Sequence, residues 1–114
     1  MKAFQFSINN NVAHIRLNQP ALGNPFNTHF CEELNELSIE CGENNNIKAV
    51  YIDAAGPNFS VGGDLKEFLG DKENLPSKFK RMTADIHMAV TRFARNNAPI
   101  IVGMCIAGFP TVAT

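Results

Sequence analysis

The chain reads as an α/β protein. Short runs of alternating or β-branched apolar residues, at 4–8, 13–17, 47–53 and 100–107, are interrupted by stretches with three- and four-residue apolar spacing. The resulting order is β-β-α-β-loop-α-α-β. A strand followed by a loop containing Gly and Phe also occurs twice, at 47–63 and 100–109, a weak echo of repeated β-to-α units.

The elements follow in order. Phe4, Phe6 and Ile8 alternate with Gln5 and Ser7, and Ala13, Ile15 and Leu17 alternate with His14 and Arg16. Asn9-Asn10-Asn11 lies between them, and asparagine tolerates the left-handed backbone of a tight turn, so the spacing predicts a hairpin. Residues 18–25 form a loop punctuated by Pro20, Gly23 and Pro25. A helix is predicted from about Thr28, capped by Asn27 or Thr28, with Glu32 and Glu33 in its first turn where the dipole favours acids. Phe30, Leu34, Leu37 and Cys41 form its apolar stripe, and Gly42 stops it. Residues 47–53 suit a half-buried strand. The stretch from Gly56 to Leu69 then supplies a turn, the glycine pair Gly62-Gly63, and a short helix opened by Asp64, with Glu67 at capping-box spacing and Leu65, Phe68 and Leu69 facing inward. Residues 70–76 are a polar linker. A long helix runs over 76–94 with Phe79, Met82, Ile86, Val90 and Phe93 on one stripe. Residues 100–107 suit a central strand, and Gly108-Phe109-Pro110 follows it.

Length and composition narrow the function. The chain has 114 residues, 45% of them hydrophobic and 18% charged, which suffices for one small globular domain. A net charge of −1 gives no sign of a nucleic-acid or membrane-surface partner. The cluster Lys78, Lys80, Arg81 reads as a solvated helix face. Three cysteines, Cys31, Cys41 and Cys105, form no short-spaced ligand pair. They read as buried small residues in a reducing compartment, and no metal site is expected. The N-terminus carries no apolar signal core and no run is long enough to span a bilayer, so the expected location is cytoplasmic. Ser60 has no partnered histidine, and His14, His29 and His87 read as surface residues.

The chemistry concentrates in the Gly56–Leu69 stretch. A strand, glycines and a capped helix can aim a backbone N–H at a ligand, because glycine allows close approach. The Gly63 N–H is the candidate donor to an oxygen that becomes negative during a reaction. A tight strand-to-helix turn would use the same glycines for geometry alone.

These residues carry a resemblance. Ile15-Arg16-Leu17-Asn18-Gln19-Pro20 with Asn24, then Asn58-Phe59-Ser60-Val61-Gly62-Gly63-Asp64-Leu65-Lys66-Glu67, then Ala98-Pro99-Ile100-Ile101-Val102-Gly103 resemble the N-terminal half of the enoyl-CoA hydratase/isomerase, or crotonase, family. The resemblance covers nearly all of the chain, although family members are more than twice as long. It implies a crotonase-like spiral of ββα units, of which residues 1–114 would be the N-terminal part of a single domain, incomplete at its C-terminus. It implies an acyl-CoA thioester substrate, hydrated at a 2-enoyl double bond or isomerised through an enolate held in a backbone oxyanion hole. Coenzyme A would enter as part of the substrate, with no separate cofactor, and the assembly would be a homo-oligomer, a trimer or hexamer. Gly63 takes the role of first oxyanion donor. Ser60, Val61, Gly62 and Lys66 take substrate-binding roles, and Asp64 is a helix cap rather than a base.

The match departs at the end. The family's second donor comes from a glycine-rich turn that opens a helix after the Pro99 strand. An ungapped count places that turn on Pro110-Thr111-Val112, and proline has no N–H. A small shift would use Gly108 instead. The same count puts Thr114 where hydratases carry a catalytic glutamate, so neither acid/base carboxylate is present. The chain alone is therefore expected to be inactive. It reads as a fragment, a truncated or frame-shifted product, or a short protein that has lost activity and serves as a binding or assembly subunit.

Overall fold

The computed structural model describes the backbone of residues 1–106 and 109–113 and the side chains of residues 1–64 and 66–103. The predicted hairpin is present as β1 (Phe4–Asn9) and β2 (Val12–Leu17), paired antiparallel with Phe6 opposite Ile15. Asn10 and Asn11 turn the chain with φ of 51° and 67°, the left-handed pair that a two-residue hairpin loop demands. β3 (Ala49–Ala54) lies parallel to β2, and β4 (Ile100–Ile106) lies parallel to β3. The five-stranded sheet runs β1-β2-β3-β4-β5.

Strand β5 (Phe109–Ala113) was not expected. It pairs antiparallel with β4, Pro110 opposite Cys105, where the resemblance places a helix-opening turn on Pro110-Thr111-Val112. Proline lacks a ladder donor, and β5 stands at the edge of the sheet, where that loss is tolerated. β3 also starts two residues later than predicted, because the Ile47 N–H is taken by Asn44 O at 3.1 Å in a turn.

Parallel pairing of β2 with β3 requires a crossover, and α1 (Thr28–Glu43) provides it. Asn27 caps α1 by accepting from the Phe30 N–H at 2.9 Å. Because the helix begins at Thr28, Glu32 and Glu33 fall beyond its first turn. Glu33 instead accepts from the Lys2 and Ala3 N–H groups at 3.0–3.2 Å, fixing the entry to β1. Gly42 lies inside α1, which ends at Asn44. Asn27→Ala is expected to destabilise the fold by about 1 kcal/mol, read as a lower urea midpoint at unchanged slope.

The short α2 (Leu65–Gly70) and long α3 (Leu75–Arg95) follow β3. The sheet face carrying Phe4, Ala13, Ile15, Leu17 and Val50 packs on Phe30, Cys31, Leu37 and Cys41 of α1 and Met82 of α3. The α1 stripe is as predicted. On α3 only Met82 and Ala89 are buried, while Phe79 and Val90 are exposed, as is Leu69 of α2, which was expected to face inward. The amphipathic stripe is wider than the strip that α1 and the sheet cover. Burial pushes the Cys31 thiol up to about 12 and the Cys41 thiol up to about 11, so both stay protonated and unreactive at neutral pH.

The opposite sheet face carries a polar cluster. Arg16 grips Asp53 with two bonds, at 3.0 and 2.8 Å, and His14 Nε2 lies 2.8 Å from Asp53 Oδ1. His14, expected to be inert on the solvent side, thus has a partner. Burial works to raise the Asp53 pKa, but the hydrogen bonds from Arg16 and His14 outweigh it and hold the carboxyl below its ordinary value. A carboxyl whose folded value is depressed stabilises the fold above its unfolded pKa of about 3.9, and that contribution fades as pH falls through the folded value. Unfolding free energies measured from pH 6 down to pH 2 should therefore fall more steeply for the wild type than for Asp53→Asn. Parallel curves would remove Asp53 as the source.

Candidate active site

Two loops leave the C-terminal ends of the adjacent parallel strands β2 and β3, where Leu17 stands opposite Ala54. They are tied together at four places. Asn24 is buried and adopts φ 52°. Its Oδ1 accepts from the Gln19 N–H at 2.8 Å, and its Nδ2 donates to Ala55 O at 2.9 Å and Asn58 O at 3.0 Å. Gly56, at φ 86°, lies so close to Pro20 that a side-chain carbon there would stand 2.7 Å from Pro20 Cβ. The Val61 N–H donates to Gly23 O at 3.0 Å, and the Phe26 N–H to Gly62 O at 2.7 Å. The last bond belongs to a parallel bridge between Phe26 and Gly63.

The turn itself is set by local chemistry. Gly62 adopts φ 96°, a left-handed value that only glycine takes readily, and its N–H is held by Ser60 Oγ at 3.1 Å. Asp64 caps α2 by accepting from the Glu67 N–H at 3.2 Å. The Glu67 carboxylate does not return to Asp64 but reaches across to the Thr28 N–H, at 3.1 Å, and to the Thr28 hydroxyl, joining the starts of α1 and α2.

The Gly63 N–H differs from the two amides before it. Among the described residues it meets no hydrogen-bond acceptor, whereas the amides of Val61, Gly62 and Phe26 are all engaged. Gly63 is exposed at the surface, and Phe68 packs against it: a carbon added to Gly63 would lie 2.9 Å from Phe68 Cε2.

Ser60, Val61, Gly62 and Gly63 thus share one fixed loop. Val61 is 60% exposed with its N–H committed to Gly23, and Lys66 is exposed on α2. Gly108 lies outside the described residues. Thr111 sits in β5, not in a turn that opens a helix. A cavity of about 230 Å³ lies between the starts of α1 and α3, bordered by Thr28, Ser77, Lys78, Arg81 and Asp85, and none of the predicted site residues lines it. There Lys78 pairs with Asp71 at 3.5 Å. Sequence reasoning missed the roles of Phe26, Phe68 and Glu67. The one local signal was Asn24, a residue tolerant of left-handed backbone between Gly23 and Pro25. Among the described residues no cluster of His, Cys, Asp and Glu could hold a metal ion, and no helix is long and apolar enough to cross a membrane.

Comparison with known proteins gives a consistent picture. The family model described as enoyl-CoA hydratase/isomerase matches residues 7–113. A trans-2-decenoyl-(acyl-carrier-protein) isomerase of Streptococcus mutans is 36% identical over 66 residues, which are 58% of this chain and 25% of that protein. The crystal structure of an enoyl-CoA hydratase/isomerase from Mycobacterium paratuberculosis superposes with a TM-score of 0.81 at 22% identity, covering 91% of this chain and 41% of that one. An enoyl-CoA hydratase from Mycobacterium smegmatis does so with a TM-score of 0.78 at 23% identity, covering 90% and 39%. At these identities the two structures establish a shared fold, and the chain spans well under half the length of each relative.

Proposed function

This chain belongs to the enoyl-CoA hydratase/isomerase family, and from that premise we propose that its Gly62–Gly63 turn is the oxyanion-binding loop for an acyl thioester. One observation carries the reading: among the described residues the exposed Gly63 amide meets no acceptor, while the Val61 and Gly62 amides just before it are bonded and hold the turn in place. As a proton leaves the carbon beside the thioester carbonyl, charge gathers on the carbonyl oxygen. A backbone donor already fixed by the Asn24, Gly23 and Phe26 ties meets that charge without reorganising. The chemistry is hydration of a 2-enoyl thioester or a double-bond shift through the enolate. The substrate is a coenzyme A thioester, with no separate cofactor, handled by a cytoplasmic homo-oligomer. The name of the Streptococcus mutans relative gives an acyl carrier protein as the thioester's carrier; the Gly63 role concerns only the thioester carbonyl, which both carriers share.

A second reading is favoured by β5. Residues 109–113 form a strand where the resemblance places the helix-opening turn of the second donor. A chain in which that strand replaces the second-donor turn would bind acyl thioesters or support an assembly without turnover.

Acetoacetyl-CoA separates the two, because its enolate absorbs in the near ultraviolet. Growth of that band on adding protein, at constant pH, supports the oxyanion loop. A raised melting temperature without the band supports the binding subunit. No band and no melting shift with acetyl-CoA, crotonyl-CoA or their acyl-carrier-protein counterparts would remove both.

A further inference from the structure

We infer that Phe68, backed by Phe79, determines which acyl group the Gly63 site accepts, favouring flat chains conjugated with the thioester over branched ones; this depends on the oxyanion reading above. A carbon added to Gly63 would lie 2.9 Å from Phe68 Cε2 and 3.4 Å from Cζ, so the ring edge already touches the glycine. Phe79 of α3 holds that ring at 4.6 Å between centroids and 56° between planes, while remaining 41% exposed. Phe26, bridged to Gly63 through the backbone and 37% exposed, stacks on Phe30 at 4.5 Å and 23°. Gly63 therefore touches the Phe68–Phe79 pair and is bridged through its backbone to the residue that carries the Phe26–Phe30 stack.

The two acidic neighbours are occupied elsewhere. Asp64 holds the Glu67 N–H, and Glu67 holds Thr28. The side chain that closely approaches Gly63 is the aromatic Phe68. A carbonyl oxygen accepting from that amide sits about 2.9 Å from its nitrogen, which brings the first acyl carbons against the Phe68 edge. A planar 2-enoyl or aryl group can lie along an aromatic ring and gain from the contact. A quaternary carbon beside the carbonyl is thicker than a planar group and would press harder on the ring edge that already touches Gly63.

The test is titration of the full chain with coenzyme A and with its crotonyl, benzoyl, butanoyl and pivaloyl thioesters, for the wild type, Phe79→Leu and Phe68→Leu. Phe79 is partly exposed, so its leucine variant should fold. The wild type is expected to hold crotonyl-CoA and benzoyl-CoA about tenfold or more tighter than pivaloyl-CoA, and each variant to shrink that ratio about three- to tenfold, with affinity for free coenzyme A unchanged. An acetoacetyl-CoA enolate band that persists while the ratio stays the same in both variants overturns this inference alone. Absence of the band and of all thioester binding in the wild type removes the oxyanion reading, and this inference with it.

Discussion

Gly63→Pro should lower the enolate fraction of bound acetoacetyl-CoA about a hundred- to a thousandfold, the loss that follows removal of one oxyanion donor. Proline takes away the N–H and nothing that side-chain chemistry could replace. The control is Gly63→Ala, which keeps the N–H but sets a methyl 2.9 Å from Phe68 Cε2. Its loss should be smaller and should be recovered in part by adding Phe68→Ala, which clears the crowding. A Gly63→Pro protein that enhances the enolate band as well as the wild type does would show that the charge rests on another group.

Asn24→Ala should destabilise the fold by about 3 kcal/mol. Removing the side chain leaves the Gln19 N–H and the carbonyls of Ala55 and Asn58 without partners in a part-buried setting, at about 1–3 kcal/mol for each buried group left unsatisfied, with incomplete additivity. Alanine also resists the φ of 52° that asparagine accepts. Asn24→Gly separates these effects, since glycine relieves the backbone strain while forfeiting the same three bonds. Urea unfolding of both variants reads the difference. Equal midpoints for wild type and Asn24→Gly would mean that the two loops do not need this tie. Because Asn24 fixes the loop that carries Gly63, the enolate response should weaken along with stability.

The framework was legible because it is written in short-range patterns. Alternation gave β1 and β2, paired asparagines gave the turn, and the Phe30, Leu34, Leu37, Cys41 spacing gave the buried stripe of α1. The resemblance extended this to the crotonase fold, which the superposed structures share. What stayed hidden depends on residues far apart in the chain. Position near a helix start marks Glu33 as a dipole partner, yet it serves the Lys2 and Ala3 amides 31 and 30 residues away. Phe79 and Val90 follow the helical period, but period records only which side is apolar, not how much of it another element covers. β5 contains a proline, which argues against a strand until its place at a sheet edge is known. At the candidate site, the glycines pointed to the turn, while Phe26, Phe68 and Glu67 gave no local sign of converging there.

The two loops that frame Gly63 begin where neighbouring parallel strands end, and parallel strands meet only after the whole intervening helix has been traversed. Closing such a long excursion of chain carries an entropic penalty before any contact rewards it. Val61 and Phe26 can therefore acquire their partners only once β2, α1 and β3 have docked. The amide at residue 63 is consequently a late arrival during maturation of the native state, and a newly made or partly denatured molecule possesses the glycines without possessing the donor.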